Sequence, residues 1–399
     1  MSEAKQTVLV FDPDYGGHHL NYVGLVVDGF HERRWSVRFA SGPKTFASEE
    51  YQAILKSRED IFQPVPLLRS PTHGGLRGRT ERSWPLFSAM RRQRPDLVFI
   101  PYLDSLFYVF GPSAVLLRGL GVKFPPMDGI LFTNEFAHKD LGGSWSTAVK
   151  ERLCRFILRR GLFRQVFLPD EVAHQSLSAS RPRTRLRRCP DPVEPPPAAD
   201  RQAVRRRLGL PPEASVLGAF GLLNEGKAIG QLAEAFLKAR RTPSEFLLLM
   251  GRQSRGVRAR IESVRGNSSQ IVVVDRFVSD AELQDALSAV DVVAVTYPRH
   301  GGSASFLIRA AAAGKPVLAS DTGWIGHVTR RYQLGATCNP LSEESLQAGI
   351  RWALSKPALD KTRSRDFVTM NTVERFKAAV TSPPTAAGDG ESPRPAGSD

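Results

Sequence analysis

The chain has 399 residues, 41% of them hydrophobic, which is enough for two soluble domains of ordinary size, each with its own core. Its three cysteines, Cys154, Cys189 and Cys338, lie far apart without a CxxC pair or a histidine at ligand spacing, so neither a disulfide framework nor a zinc site is supported. A formal charge of +15, carried mostly by arginine, favours a polyanionic partner, whether nucleic acid, anionic lipid or a diphosphate substrate. Composition does not choose among the three, and solvated surface accounts for part of the charge.

Residues 1–7 are polar and lead straight into a strand, so no signal peptide is expected and a reducing, cytoplasmic setting is the default. A short apolar strand at 8–11 ends in a loop holding Gly16, Gly17, His18 and His19. A helix at 20–30 follows, with Leu20, Val23, Val27 and Phe30 in helical register, and then a strand at 37–40. Residues 64–95 are rich in Arg, Gly and Pro with poor periodicity and read as a long surface segment. The apolar run at 97–117 is broken by Pro101, Asp104 and Pro112, so it reads as a strand and a buried helix rather than a membrane span. Further strands are expected at 97–101, 130–133 and 165–168.

Between residues 180 and 200 the periodicity fails in an arginine and proline run, which reads as a semi-rigid connector and a domain boundary. The second half then restarts the alternation. Strands are predicted at 216–220, 246–250, 271–274, 292–296 and 317–320, with helices at 228–240, from 280, and at 306–313. Strands alternating with helices imply parallel sheets covered on both faces, so the fold class is α/β with two Rossmann-like domains. The expected division is an N-terminal domain to residue 189, a hinge at 190–200, a second domain at 201–365, a C-terminal helix at 366–381 packing back on the first domain, and a disordered tail at 382–399.

The stretch from 289 to 327 is where ligand chemistry concentrates. The loop Tyr297-Pro298-Arg299-His300-Gly301-Gly302-Ser303-Ala304-Ser305 follows a strand and opens a helix. Its glycines permit close backbone approach, and Ser303 and Ser305 are N-cap candidates at a helix terminus suited to a phosphate. An ordinary β–α turn explains the same residues equally well. A second polar loop is predicted at 321–327, holding Asp321, Gly323 and His327. In the first half, His18 and His19 follow the glycine pair, and Glu135 and His138 follow the fourth strand. Such groups suit hydroxyl binding or proton handling, although a lone histidine is most often structural.

The order of these motifs resembles the retaining, family-4 glycosyltransferases of the GT-B fold (glycosyl transferases group 1). Gly221 through Lys227 is similar to that family's glycine-to-lysine loop. Phe277-Val278-Ser279-Asp280-Ala281-Glu282-Leu283 resembles its F-V-S-x-x-E-L step, and Gly314 to Gly323 resembles its G-x-P-V-V-A-x-x-x-G strand. Gly17 sits at the family's first glycine loop, and Pro190-Asp191-Pro192-Val193 near its hinge. The resemblance implies two domains facing across a cleft, with a nucleotide-sugar donor on the second and a glycan or lipid-linked acceptor on the first. It also implies transfer with retention and no metal or other cofactor. Lys227 then matches the lysine at the donor diphosphate, where a compact cation stabilises the leaving group. Gly301, Gly302, Ser303, Ser305 and His300 line the sugar and phosphate, Asp321, Gly323 and His327 the base-side loop, and His138, Glu135 and His19 the reacting centre.

Departures from the pattern accompany the match. The family's two glutamates fall at Gly301 and Arg309, the arginine beside the first glycine of the lysine loop falls at Leu222, and a later glutamate falls at His327. An arginine only donates hydrogen bonds, so Arg309 cannot replace a carboxylate on ribose hydroxyls and would pair instead with a phosphate or a nearby acid. The expected activity is therefore sugar transfer at the cytoplasmic face of a membrane, with the basic residues 69–94 assisting peripheral contact with anionic lipid. The alternative is a glycosyltransferase-like binding or scaffold protein without turnover. A nucleic-acid binder is suggested by charge alone, and another GT-B enzyme by nothing in the sequence.

Overall fold

A computed structural model describes residues 5–16, 19–197 and 199–383. By internal contacts the chain divides into two compact units, one formed by Met1–Leu131, Arg152–Cys189 and Lys377–Asp399, the other by Phe132–Glu151 and Pro190–Phe376. Relative to the expected division, residues 132–151 group with the second unit. The predicted disordered tail lies outside the described residues from 384 onward.

The first unit opens with β1 (Thr7–Phe11), α1 (His19–Glu32), β2 (Ser36–Ser41), the short helices α2 (Pro43–Phe46) and α3 (Glu49–Ile54), and β3 (Phe62–Pro66). It continues through α4 (Gly75–Gln93), β4 (Leu97–Ile100), α5 (Phe107–Gly119) and β5 (Met127–Ile130). The chain re-enters this unit within α6 (Trp145–Arg159) and adds β6 (Gln165–Leu168), α7 (Glu171–Ser178) and β7 (Arg185–Arg188). The seven strands form one parallel sheet in the order β3-β2-β1-β4-β5-β6-β7. β1 and β4 to β6 are buried along their length, as strands covered on both faces must be.

Three expectations are corrected here. The surface segment at 64–95 contains the nineteen-residue helix α4. Its inward positions are Gly78, Ser83, Leu86, Ala89 and Met90, mostly small residues that leave little apolar periodicity to read. The connector at 180–200 contains β7, an edge strand on which Leu186 faces inward while Arg188 is exposed, so arginines at an edge disguised it. The strand expected at 130–133 is β5, which lies at Met127–Ile130.

The second unit contains α8 (Arg201–Arg207), β8 (Ser215–Phe220), α9 (Ile229–Ala239), β9 (Glu245–Met250), α10 (Arg255–Arg265), β10 (Ile271–Val274) and α11 (Asp280–Ala289). It continues with β11 (Val292–Val295), α12 (Ser305–Ala312), β12 (Val317–Ser320), α13 (Gly323–Arg331), β13 (Gly335–Cys338), α14 (Glu343–Leu354) and α15 (Lys361–Met370). The helix α16 (Val373–Thr381) begins here and ends in the first unit, where Lys377 pairs with Glu32. The sheet is again parallel, in the order β10-β9-β8-β11-β12-β13. Alternate residues of each strand feed opposite cores: Phe220, Leu248, Val293, Val295 and Ala319 pack on one face, and Leu217, Leu247, Ala294 and Leu318 on the other.

The sequence steps quoted above have local physical causes. Ser279 and Glu282 form a reciprocal capping box at the start of α11, which stabilises a helix by about 1 kcal/mol. Gly314 takes φ +65° after α12, with its N–H bonded to the Ala311 carbonyl and that of Lys315 to Ala310. That is a Schellman cap, and Pro316 then ends any helical continuation. The predicted polar loop at 321–327 is instead the first half of α13, entered at Gly323 with φ +66°. Among the described residues no helix is long and apolar enough to cross a membrane.

Candidate functional site

In the second unit β8 and β11 are neighbours, but the chain leaves β8 towards β9 and β10 and returns to β11 on the other side. Their following loops therefore diverge, and the crevice outside the strand ends at such a switch is where open α/β sheets take ligands. Residues 221–228 and 296–304 are those two loops.

Lys227 lies in the first of these loops. Its ammonium donates to the Phe220 carbonyl at 3.1 Å and stands over two rings, Tyr297 at 5.1 Å and Phe306 at 5.4 Å. Among the described residues no carboxylate pairs with it. Desolvation pushes its pKa down from 10.5 to about 8. The backbone is fitted tightly around this cation. Gly221 has φ +83°, and a Cβ there would meet Phe306 at 2.6 Å. A Cβ on Gly251 would strike the Gly221 carbonyl oxygen at 2.0 Å, so two glycine backbones pack directly together beneath the lysine loop.

His300 extends the same site. Its Nε2–H donates to the Ser303 carbonyl at 2.8 Å, which leaves Nδ1 as the acceptor, and its ring meets Tyr297 edge-on at 5.5 Å. Burial lowers its pKa and the Lys227 charge lowers it further, so the ring is neutral at physiological pH. Tyr297 is buried, which raises its own pKa.

Residues 132–141 lie over the 300 loop. The Asn134 N–H donates to the Gly301 carbonyl at 2.7 Å. A Cβ on Gly301 would fall 2.2 Å from Glu135 Cγ, and one on Gly302 would fall 2.6 Å from the Phe132 carbonyl oxygen. Neither position therefore accommodates a side chain, which accounts for the glycine at 301. The Glu135 carboxylate is half-buried, 3.7 Å from Lys150. His138 is buried two residues beyond Phe136. Asp140 accepts from the Gly323 N–H at 2.9 Å, and the Cβ position of Gly323 lies 2.8 Å from the His300 carbonyl. Glu135, His300, Gly301, Gly302 and Gly323 thus converge on one place, with Lys227 joined to them through Tyr297.

Other predicted residues are placed differently. Ser303 contributes its carbonyl, Ser305 is the first residue of α12, and the N-cap is Ala304 without a side-chain cap, so neither serine caps the helix. Arg309 is turned to Asp280 on α11, with Nη1 to carboxylate oxygen 2.7 Å. Asp321 lies by Cys338, whose thiol is pushed up to about 12 chiefly by burial. His327 is half-buried on α13. Gly17 lies outside the described residues.

The first unit has a polar cluster at the end of β1. Asp12 is buried and its Oδ2 bonds His19 Nδ1 at 2.8 Å, while its Oδ1 accepts from the Asp14 N–H at 3.1 Å. Arg82 of α4 bonds Asp14 at 2.6 Å, and the His19 ring lies tilted against Tyr102 with centroids 4.1 Å apart. Burial acts to lower the His19 pKa, but the Asp12 carboxylate outweighs it and the value is raised. Asp12 is itself pushed up by burial against the pull of His19. The pair therefore holds a proton more tightly than a free imidazole does. Carboxylate and imidazole atoms of Asp12, Asp14 and His19 lie within 4.8 Å of one another, but His19 and Arg82 already balance the two acids.

Sequence reasoning missed Tyr297, Phe306, Asp140, Asp12 and Arg82. Tyr297 and Phe306 bracket the 300 loop, and their ring faces became informative only once Lys227 was seen to stand over both. Asp12 ends an apolar strand seven residues before a histidine, a pairing that spacing alone does not reveal.

Residues 200–366 match the family described as glycosyl transferases group 1. Among curated proteins no sequence matches. Anabaena HepE, solved in complex with UDP and glucose, is similar over 93% of this chain and 97% of its own, with a TM-score of 0.67 at 14% identity. Sucrose-phosphate synthase from Thermosynechococcus elongatus is similar over 94% and 95%, with a TM-score of 0.67 at 18% identity. The UDP-forming α,α-trehalose-phosphate synthase of Burkholderia xenovorans, with glucose-6-phosphate, is similar over 93% and 98%, with a TM-score of 0.64 at 11% identity. The chain has the GT-B fold of these proteins.

Proposed function

We propose, from the match of residues 200–366 to glycosyl transferases group 1, that this chain is a glycosyltransferase using a nucleoside diphosphate sugar. The observation that carries the reading is Lys227, a desolvated cation without a carboxylate partner among the described residues, at the strand-switch crevice. A half-buried, desolvated ammonium without a counter-charge is costly alone, and the cost is offset when an anion such as a diphosphate arrives. In this reading Lys227 stabilises the charge developing on the departing diphosphate, in place of a metal, and transfer proceeds with retention. UDP is the first nucleotide to test, since HepE was solved with UDP and glucose.

The acceptor is a glycan or lipid-linked saccharide, and the protein works in the cytoplasm at its membrane face. Neutral His300 accepts a sugar hydroxyl through Nδ1, and Glu135 brings a carboxylate to the space that a side chain at 301 would enter. His138 lies three residues from Glu135, and the Asp12–His19 pair of the first unit is the acceptor-side proton carrier.

A second reading, a non-catalytic binding protein, is favoured by one observation: Arg309 is committed to Asp280. Calorimetry with UDP, GDP, ADP and TDP and their common sugars, alongside an assay of sugar release, separates the two. Diphosphate binding weakened tenfold or more by Lys227→Ala, about 1.4 kcal/mol or more, with turnover of one donor, supports the enzyme. Binding without turnover supports the second reading, and no binding by folded protein ends both.

A further inference from the structure

We infer that the α4–α5 face of the first unit is a docking surface for an anionic lipid bilayer. It rests on the membrane-face placement proposed above and is argued from exposure and charge within that unit, so vesicle binding tests it separately from donor binding.

On α4, Leu76, Thr80, Trp84, Phe87 and Arg91 are spaced by three and four, so they share one stripe of the helix. Leu76 is 75% exposed and Trp84 is 58% exposed. Trp84 continues into an aromatic chain, its ring 5.6 Å from Phe87, which in turn lies 4.9 Å from Phe110 of α5 and 5.8 Å from Phe124 beyond it. The last turn of α5 and the residues after it add Leu116, Leu120 and Val122, exposed by 66%, 74% and 41%. Monomeric proteins in water rarely keep large apolar side chains exposed in one neighbourhood without a partner. Tryptophan in particular suits a headgroup boundary, where its ring is half apolar and half wet.

The charge around these residues has one sign. Arg91 and Arg92 end α4, and Lys123 stands between Val122 and Phe124. Among the described residues these three have no ion-pair partner. Glu81 is the only acid between Arg69 and Arg94, and it is held by His73 and the Thr72 N–H. No Asp or Glu occurs between Asp104 and Asp128. Free cations beside exposed leucine and tryptophan match the boundary of a bilayer rich in anionic headgroups, where apolar insertion and basic side chains act together. A nucleic acid would answer the charge but not the leucines.

The test is flotation of the full chain with phosphatidylglycerol-rich vesicles and with pure phosphatidylcholine vesicles, with thermal unfolding as the control for fold. Binding to the anionic vesicles alone is expected, falling at least tenfold in Trp84→Ser/Leu120→Ser and in Arg91→Glu/Arg92→Glu. Quenching of tryptophan fluorescence by brominated anionic lipid should drop in Trp84→Phe, although the chain has 5 tryptophans. Equal binding to phosphatidylcholine, or anionic binding that the serine pair leaves unchanged, would overturn the inference. So would absent vesicle binding with duplex DNA bound and lost on the arginine reversal, which would assign the face to nucleic acid.

Discussion

The two units place polar groups at equivalent strand ends and treat charge in opposite ways. At the end of β1 the two acids have counter-charges: Asp12 with His19, and Asp14 with Arg82. Beyond β8 the cation Lys227 has only a carbonyl and two ring faces. A compensated cluster is stable before any ligand arrives and fixes geometry. An uncompensated, desolvated cation costs stability and regains it from an anion. On the proposed reading, the loops beyond β8 and β11 take the anion and the cluster beyond β1 is a preset hydroxyl or proton site.

The largest effect that would break this comparison is at Lys227. Lys227→Met should weaken nucleoside diphosphate binding by about ten- to hundredfold, roughly 1.4–3 kcal/mol, while leaving the folded protein as stable or more stable, because a desolvated charge has been removed. Calorimetry and thermal unfolding on one preparation check both arms. A variant that loses stability would make Lys227 a structural residue and erase the contrast.

The second test is pH. Lys227 carries a depressed pKa of about 8 against an ordinary 10.5, so in the free protein it loses its charge as pH rises through about 8. Diphosphate affinity should therefore be flat near pH 7 and decline above about 8. Between the folded and unfolded values the unfolded chain binds the extra proton, so this group's penalty on stability shrinks as pH rises from 8 to 10.5. Affinity unchanged to pH 9 would mean that the anion is held by backbone alone.

Much of the fold was legible because its strands are apolar runs between turn signals, as at Ile271–Val274 and Val317–Ser320. What escaped had its pattern set by partners rather than by local composition. β7 is an arginine edge strand paired to β6, α4 packs through small residues, and α13 is entered at a glycine held by Asp140. In the site, the lysine loop and the glycine pair were visible as motifs. The reason for Gly301 was not, because Glu135 fills its Cβ space from 166 positions earlier, a contact that no spacing encodes.

A smaller effect sharpens the other side of the comparison. Asp12→Asn keeps an acceptor for His19 but removes the charge that raises its pKa, and should cost about 1–2 kcal/mol at mildly acid pH. A histidine whose folded pKa is raised above 6.5 contributes stability that is full below 6.5 and is lost as pH climbs through the folded value. The gap between wild type and variant should therefore narrow with rising pH in chemical unfolding. A gap constant from about pH 5 to 8 would show that His19 does not carry the proton.

The smallest effect concerns Arg309, which the structure ties to Asp280 at 2.7 Å, with side chains 19% and 55% exposed. A pair this open to water is worth at most about 1 kcal/mol, so Arg309→Ala should lower stability by no more than that. Diphosphate affinity should stay within about twofold, since the guanidinium is already engaged away from the lysine loop and a twofold change is only about 0.4 kcal/mol. If affinity instead falls as far as in Lys227→Met, Arg309 must leave Asp280 when the anion binds, and Asp280→Asn would then strengthen binding by freeing it. In that case the crevice of the second unit also holds a stored counter-charge, and its difference from the β1 cluster is one of timing rather than of composition.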